Sequence, residues 1–448
     1  MKRAWEILSG RRTAAALLVV SAVLSVGLAC LGADGALAFM KYHAAIGMVG
    51  ALAVLCLLAA ARTRRRPTLL ALHLGFALVL GGWVGNEFLG EPDGYLRLRA
   101  GQEGRVAASD AAHGFNLELQ HFSIDRWEDT GTVRQYTSRA ILREDGKNRA
   151  EPVEISVNHP LVRAGWWVYQ SSFEELENPH TGRPLYFTIL SCVNDVGLPV
   201  AAVGGILLML GALGYAWIRL RGEEPARAGA LLSDVSPRLR GTVRVLYAFA
   251  FVGAVAMLVH RGWTTGHPPM QNLYEFLMCS AALIPALTCV SAKFDRRSTL
   301  LVDAALLALV MIPVGFVMDG SARRLMPALQ SPFFVPHVGS YVLGYILLIR
   351  AAFGAGRRLV GVGFLLLTVG LVLGAAWGKV CWGHWWQFDP KEMWSLATWL
   401  VYAAYFHLRP RLSPRATNVF LAAGAVMIVL TLTWVNLSRI FPGMHSYA

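Results

Sequence analysis

Apolar runs of about twenty residues recur along this chain, each closed by a short polar or charged stretch. A bilayer's hydrocarbon core is about 30 Å thick and takes ~20 apolar residues to cross as a helix, so runs of this length read as spans. The pattern predicts eleven: 13–31, 43–61, 68–86, 197–218, 243–260, 272–291, 300–318, 338–353, 359–376, 393–408 and 416–436. Between the third and fourth the period changes. Residues 90–190 alternate in the β manner, with Phe115, Leu117 and Leu119 on one face of FNLELQ and turns such as Glu144-Asp145-Gly146 between runs. The predicted fold class is an α-helical polytopic membrane protein of about eleven transmembrane helices, carrying a small external β-rich domain (a sandwich or an open barrel).

The spans fall into two groups. Residues 1–221 hold four spans and the 90–190 insert, 222–241 form a linker with Pro225, Pro237 and mixed charge, and 242–448 hold seven spans with short loops. The first run resembles the apolar part of a signal peptide, and Ala36-Leu37-Ala38 resembles a cleavage site. The run is longer than such segments usually are, so it is expected to be a retained helix.

The chain is 55% hydrophobic with a net charge of +13. That charge invites a nucleic-acid partner, but its distribution argues against one. Arg11-Arg12, Arg64-Arg65-Arg66, Arg296-Arg297, Arg357-Arg358 and Arg409/Arg411/Arg415 all fall on one side of the predicted membrane, and the short loops opposite hold only scattered cations. This is the positive-inside pattern with the N-terminus inside. It puts residues 377–394 and the C-terminus outside, which is the periplasm if the cell is Gram-negative. The six cysteines contain no C-x-x-C pair, which excludes the usual zinc, thioredoxin-like and haem-attachment patterns. Most sit in spans, where cysteine behaves as a small hydrophobe. Cys192 and Cys381 share the outer side, and a disulfide between them is one open reading.

Candidate chemistry concentrates in WGKVCWGHWWQFDPKEMWSLATWLVYAAYFHLR, residues 377–409. Five tryptophans, Trp377, Trp382, Trp385, Trp386 and Trp394, fall within eighteen residues around Asp389-Pro390-Lys391-Glu392. Tryptophan favours the membrane–water interface, so a single one here would be an anchoring belt. This density suggests instead a flat aromatic shelf for a large, flat, apolar ligand. Four histidines are placed to hold a metal in that ligand. His73 lies early in the third span and His407 late in the tenth, both near the inner side, and helical rise puts His407 about 20 Å from Trp394. His337 opens the eighth span and His445 sits in the external tail, both beside the shelf. An intramembrane histidine taken singly is more often an interfacial hydrogen-bonding group, but two layers of paired imidazoles fit a haem iron held from both faces.

The run WGHWWQFDPKEMW followed by TWLVYAAYFHLR resembles the tryptophan-rich WWD signature of the CcsA/ResC family of cytochrome c synthases. RGWTTGHPPMQNLYEF, LMPALQSPFFVPHVGSYVLGY and the terminal GMHSY agree with it. LHLGFALVLGGWVGN and ISVNHPLVRAGWWVYQSSF are similar to CcsB/ResB, so the whole chain looks like a CcsB–CcsA fusion. The resemblance implies that His73 and His407 receive haem b, as substrate, from the cytoplasmic side. It further implies that His337 and His445 are axial ligands to haem laid on Trp377, Trp382, Trp385, Trp386, Phe388, Asp389 and Trp394. The implied reaction joins the two thiols of a C-x-x-C-H apocytochrome c to the haem vinyl groups, with thiol-reducing periplasmic proteins as further partners. No residue is assigned as acid or base. Lys391 and Arg439 are candidates for the haem propionates or, equally, for ordinary salt bridges to Asp389 or Glu392.

Three departures from the family pattern stand out. Phe388 replaces the usual tryptophan before the aspartate, and His384 stands where a small residue is usual, as a rival ligand or a surface imidazole. The external insert is also shorter than a typical CcsB part. A haem exporter serving a separate ligase, or a haem-delivery subunit of a multi-component system, remains the alternative function. A bare membrane anchor would explain neither the paired histidines nor Asp-Pro-Lys-Glu.

Overall fold

A computed structural model describes residues 10–30, 35–90, 94–107, 114–146, 150–177, 182, 184–222, 237–294, 300–353 and 357–437. Eleven α-helices lie among them, numbered here α1 to α11. They are α1 (Arg11–Cys30), α2 (Gly35–Thr63), α3 (Pro67–Leu89), α4 (Leu198–Gly222), α5 (Pro237–Thr265) and α6 (Leu273–Phe294), followed by α7 (Leu300–Phe316), α8 (Phe334–Ala352), α9 (Arg357–Trp382), α10 (Pro390–Leu408) and α11 (Pro414–Leu437). Seven of them, α2, α3, α4, α5, α8, α9 and α11, are long and apolar enough to cross a membrane, while α1, α6 and α7 contain shorter apolar stretches. The protein is therefore a polytopic helical membrane protein. Helix α10 falls outside the seven for a sequence reason: Lys391 and Glu392 open it, and Trp, Tyr and His occupy much of the rest. It is nevertheless a central helix, with Met393, Ala397, Leu400, Tyr402 and Ala404 wholly buried.

Between α3 and α4 the chain builds eight strands: β1 (Gly94–Leu98), β2 (Glu103–Ala107), β3 (Gly114–Arg126), β4 (Val133–Glu144), β5 (Ala150–Ser156), β6 (Leu161–Arg163), β7 (Trp166–Glu177) and β8 (Pro184–Asn194). They form two four-stranded antiparallel sheets, ordered β1-β8-β7-β6 and β2-β3-β4-β5. Inward residues of both sheets share one core, including Phe115, Leu117, Leu119, Leu142, Trp166, Val168 and Leu190. The domain is thus a β-sandwich, as the alternation in FNLELQ predicts. Inside it Ser138, Gln170 and Thr188 satisfy one another, with Ser138 Oγ donating to Gln170 Oε1 at 2.6 Å and Gln170 Nε2 donating to Thr188 Oγ1 at 2.8 Å.

Close backbone contact fixes α3 on α4. A Cβ at Gly75 would collide with the Leu208 backbone nitrogen, and one at Gly204 would lie 2.6 Å from the Val79 nitrogen. Small residues at such crossings let membrane helices approach closely. The largest core then joins the two halves, gathering Leu18 of α1, Met48 of α2, Phe76 of α3, Leu208 of α4, Trp399 of α10 and Leu421 of α11. Cys192 and Cys381 are not joined by a disulfide. Cys192 packs in the sandwich core, whereas Cys381 packs with Val157, Leu329 and Trp377.

Candidate functional site

Helices α3 and α10 carry His73 and His407 to one place. Their ring centroids lie 6.2 Å apart, nearly perpendicular. Each ring is oriented by its own helix. His73 Nδ1 lies 2.7 Å from the Leu69 carbonyl and His407 Nδ1 2.8 Å from the Ala403 carbonyl, each four residues back. A carbonyl only accepts, so each Nδ1 carries the proton and the lone pair is on Nε2. Such outer hydrogen bonds are how proteins fix the tautomer and angle of a metal-binding imidazole. Two imidazoles on opposite sides of one metal have ring centres about 6 Å apart, given metal–nitrogen bonds of ~2.0–2.1 Å. Among the described residues no three His, Cys, Asp or Glu side chains converge as a bare-ion site would need. A metal that arrives with four donors of its own requires only two.

The surroundings suit a macrocycle. The pair lines a cavity of about 1980 Å³ whose walls include Phe76, Tyr215, Phe364, Trp399 and Phe406. Phe76 stacks on Trp399 at 4.9 Å, and Trp399 Nε1 is held by Thr368 Oγ1 at 3.0 Å. At the cavity mouth stand Arg62 from the last turn of α2 and Arg64, Arg65 and Arg66 from the α2–α3 connection. Arg12 of α1, with Arg409 and Arg411 beyond α10, completes that rim, and the lining contains no carboxylate among the described residues.

At the other end of the bundle His337 sits in the first turn of α8, slightly inside the helix rather than at its start. Its Nδ1 donates to the Gly370 carbonyl at 2.8 Å, and its ring lies edge-on to Trp377 and Tyr341 at 5.6 and 5.1 Å. The room for it comes from α9: a Cβ at Gly374 would meet the His337 ring at 2.5 Å. His445 and Arg439 lie outside the described residues.

The tryptophans do not form one flat layer, and here the structure corrects the sequence reading. Trp377 and Trp394 are nearly fully buried, in separate clusters. Trp377 stacks on Trp382 at 6.0 Å against the β-domain and the α7–α8 loop, whereas Trp386, Phe388 and Trp394 pack with Ala45 of α2. Trp385 turns a third way and donates to Asp195 Oδ2 at 3.1 Å. The reason is local geometry. The five rings leave the end of α9, a turn and the start of α10, so their directions diverge. Phe388 takes a positive φ of 56°, costly for an aromatic residue. It is held by the cap that follows: Asp389 accepts from the Lys391 amide, and Glu392 accepts from the Gln387 and Asp389 amides. His384 is half-buried rather than fully exposed.

Three residues of the first half brace this outer region, and sequence reasoning missed their roles. Asp195, just after β8, forms a buried ion pair with Lys379 of α9 at 2.8 Å and also holds Trp385. Lys379 in turn faces the rings of Trp167 and Tyr169 on β7 and donates to the Gly383 carbonyl. Asn158, at a φ of 66° between β5 and β6, directs its amide at the carbonyls of Pro327, Ala328 and Gln330 in the loop before α8. Asp129 meets Arg324 of that loop at 2.7 Å, and the guanidinium holds the Asp129 carboxyl below its ordinary pKa.

Comparison with known proteins bears on both halves. Residues 355–442 match the family described as Cytochrome C assembly protein, and residues 53–185 match the ResB-like family. The chain is 30% identical over 294 residues to "Cytochrome c biogenesis protein CcsA" of Synechococcus sp. (strain CC9902), covering 53% of this chain and 95% of that protein. The chain belongs to the CcsA family. The CcsA protein of Prochlorococcus marinus (strain MIT 9303) is 33% identical over 270 residues, covering 46% of this chain and 83% of its own length. A ResB-like region and a CcsA region thus stand in one chain with a role in cytochrome c biogenesis. His407 and the tryptophan-rich turn fall within the assembly-family match, and His73 falls within the ResB-like match.

Proposed function

We propose that this chain is a cytochrome c synthase that takes haem b at an inner bis-histidine site, moves it outward and attaches it to apocytochrome c. The observation that carries the reading is the His73–His407 pair. Two rings from opposite halves of the chain stand 6.2 Å apart with both Nδ1 atoms committed to backbone carbonyls, inside an aromatic cavity. In this reading all eleven helices cross the bacterial inner membrane. The arginine-rich ends face the cytoplasm and the tryptophan-rich turn faces the periplasm.

At the outer site His337 and His445 ligate the haem iron, and Trp377, Trp382, Trp385, Trp386, Phe388, Asp389 and Trp394 form its surroundings. Each cysteine thiol of a C-x-x-C-H segment adds across one vinyl group. Sulfur bonds the carbon next to the ring and hydrogen goes to the terminal carbon, so no oxidant is consumed and the thiols must arrive reduced, kept so by thiol-reducing periplasmic proteins. The protein's contribution is positioning, which lowers the barrier by holding reacting groups in place. The exporter alternative shares every step except the addition.

Purified in detergent with His337→Gly and His445→Gly, so that the outer pair is silent, the protein is expected to show the low-spin absorption of a bis-imidazole haem. His73→Gly or His407→Gly should abolish it, and added imidazole should restore it. An unchanged spectrum in both variants would remove the inner site from the account.

A further inference from the structure

The rim of the inner cavity carries more charge than topology alone requires. Loops on the inner side of a membrane protein collect arginine whatever the protein binds. Here the α2–α3 connection and the segment after α10 place their arginines on the wall of the same cavity as His73 and His407, and no carboxylate among the described residues shares that wall. Cations concentrated along a concave surface with low-dielectric walls focus an attractive field on an anion. The cavity has a direction as well. Arg66 precedes His73 by seven residues, about 10 Å of helical rise, and Arg409 follows His407 by two. Towards the bundle interior the walls are the rings of Phe76, Phe364 and Trp399. One end of the cavity is therefore cationic, the other is apolar and aromatic, and the two imidazoles stand between.

We propose that this rim is a carboxylate-recognition site, in which Arg64, Arg65, Arg66, Arg409 and Arg411 bind the two propionates of the porphyrin. The porphyrin then enters with its vinyl edge leading into the bundle. The assignment rests on the haem reading and adds what that reading lacks, a basis for selecting a dicarboxylate porphyrin and for its orientation. Guanidinium groups suit the task because their planar fork pairs with a carboxylate in two parallel hydrogen bonds.

The test compares iron protoporphyrin IX with its dimethyl ester, which keeps the iron and both vinyl groups but has no carboxylate. Both are titrated into the full chain carrying His337→Gly and His445→Gly, so that the His73/His407 pair is read alone by its low-spin spectrum. Haem is expected to bind at least about tenfold more tightly than the diester. Arg64→Gln/Arg65→Gln/Arg66→Gln and Arg409→Gln/Arg411→Gln are expected to bring haem to the diester's affinity while leaving the diester's own affinity unchanged. The haem-to-diester ratio needs no arginine variant, so it stands even where the glutamine forms fold poorly. Equal affinity for haem and diester, each with a His73-dependent spectrum, would overturn the carboxylate site and leave the haem reading intact. The absence of any His73-dependent spectrum with either ligand would overturn both.

Discussion

Gly374 and His337 face each other across the α8–α9 contact. The Cβ of any other residue at 374 would lie 2.5 Å from the imidazole, which is also tied to the Gly370 carbonyl. The ring must leave, or the helices must part. Gly374→Ala is expected to cost about 1–3 kcal/mol of local packing and to displace His337. Covalent haem yield on a co-expressed apocytochrome should then fall at least about tenfold, while helix content by circular dichroism and the His73/His407 spectrum stay as in the parent. Full yield from the alanine variant would show that His337 is not needed where the structure puts it. At this scale the sequence is informative about identity and poor on direction. The histidines and tryptophans can be read directly, and the spacing of His73 and His407 from the arginine clusters places both rings at one depth. Nothing in the spacing of Trp377, Trp382, Trp385, Trp386 and Trp394 shows that the rings diverge into three neighbourhoods. That depends on where α9 ends and on the positive φ of Phe388.

The elements of the β-domain act on the outer region as a brace. Asp195 follows β8, Lys379 lies in the last turns of α9, and the pair is almost wholly buried beside Trp167 and Tyr169. Removing one partner of a buried pair leaves an uncompensated charge, typically worth about 3–5 kcal/mol, whereas replacing both with apolar groups is often close to neutral. Asp195→Ala should therefore lower the denaturation midpoint of the detergent-solubilised protein more than Asp195→Ala/Lys379→Met does. Equal loss in the two variants would mean that the charge pairing itself contributes little. The strands are legible in the sequence because Phe115, Leu117 and Leu119 alternate with polar residues. The brace is not, since Asp195 and Lys379, or Asn158 and the Pro327–Gln330 turn, are far apart in the chain and share no local pattern.

Over the whole molecule, the inner pair takes one imidazole from each half of the chain, and Leu18, Leu52, Phe76, Leu208, Trp399 and Ala403 of the common core line its cavity. The CcsA relatives align with about half of this chain while the alignments cover 83–95% of their own length. The packed helices of the two halves are therefore expected to hold together without the linker. Cutting the chain within residues 223–236 and expressing the two parts together should give a complex that co-purifies and keeps the His73/His407 haem spectrum. Separation in mild detergent would show that the linker, rather than the packed helices, holds the halves together. The hydrophobic pattern groups the apolar runs into four with an insert and seven after it, but the pairing of His73 from the first group with His407 from the second becomes visible only when α3 and α10 are adjacent.

Covalent attachment is what separates a synthase from an exporter. Its most direct measurement is a denaturing gel stained for haem, with this chain co-expressed beside a C-x-x-C-H apocytochrome in a bacterial host stripped of its own maturation genes. A haem-positive cytochrome band that disappears with His337→Gly is the predicted result. Well-expressed protein that purifies with haem bound, beside a cytochrome band that stays unstained, would contradict the synthase and leave a haem exporter in its place.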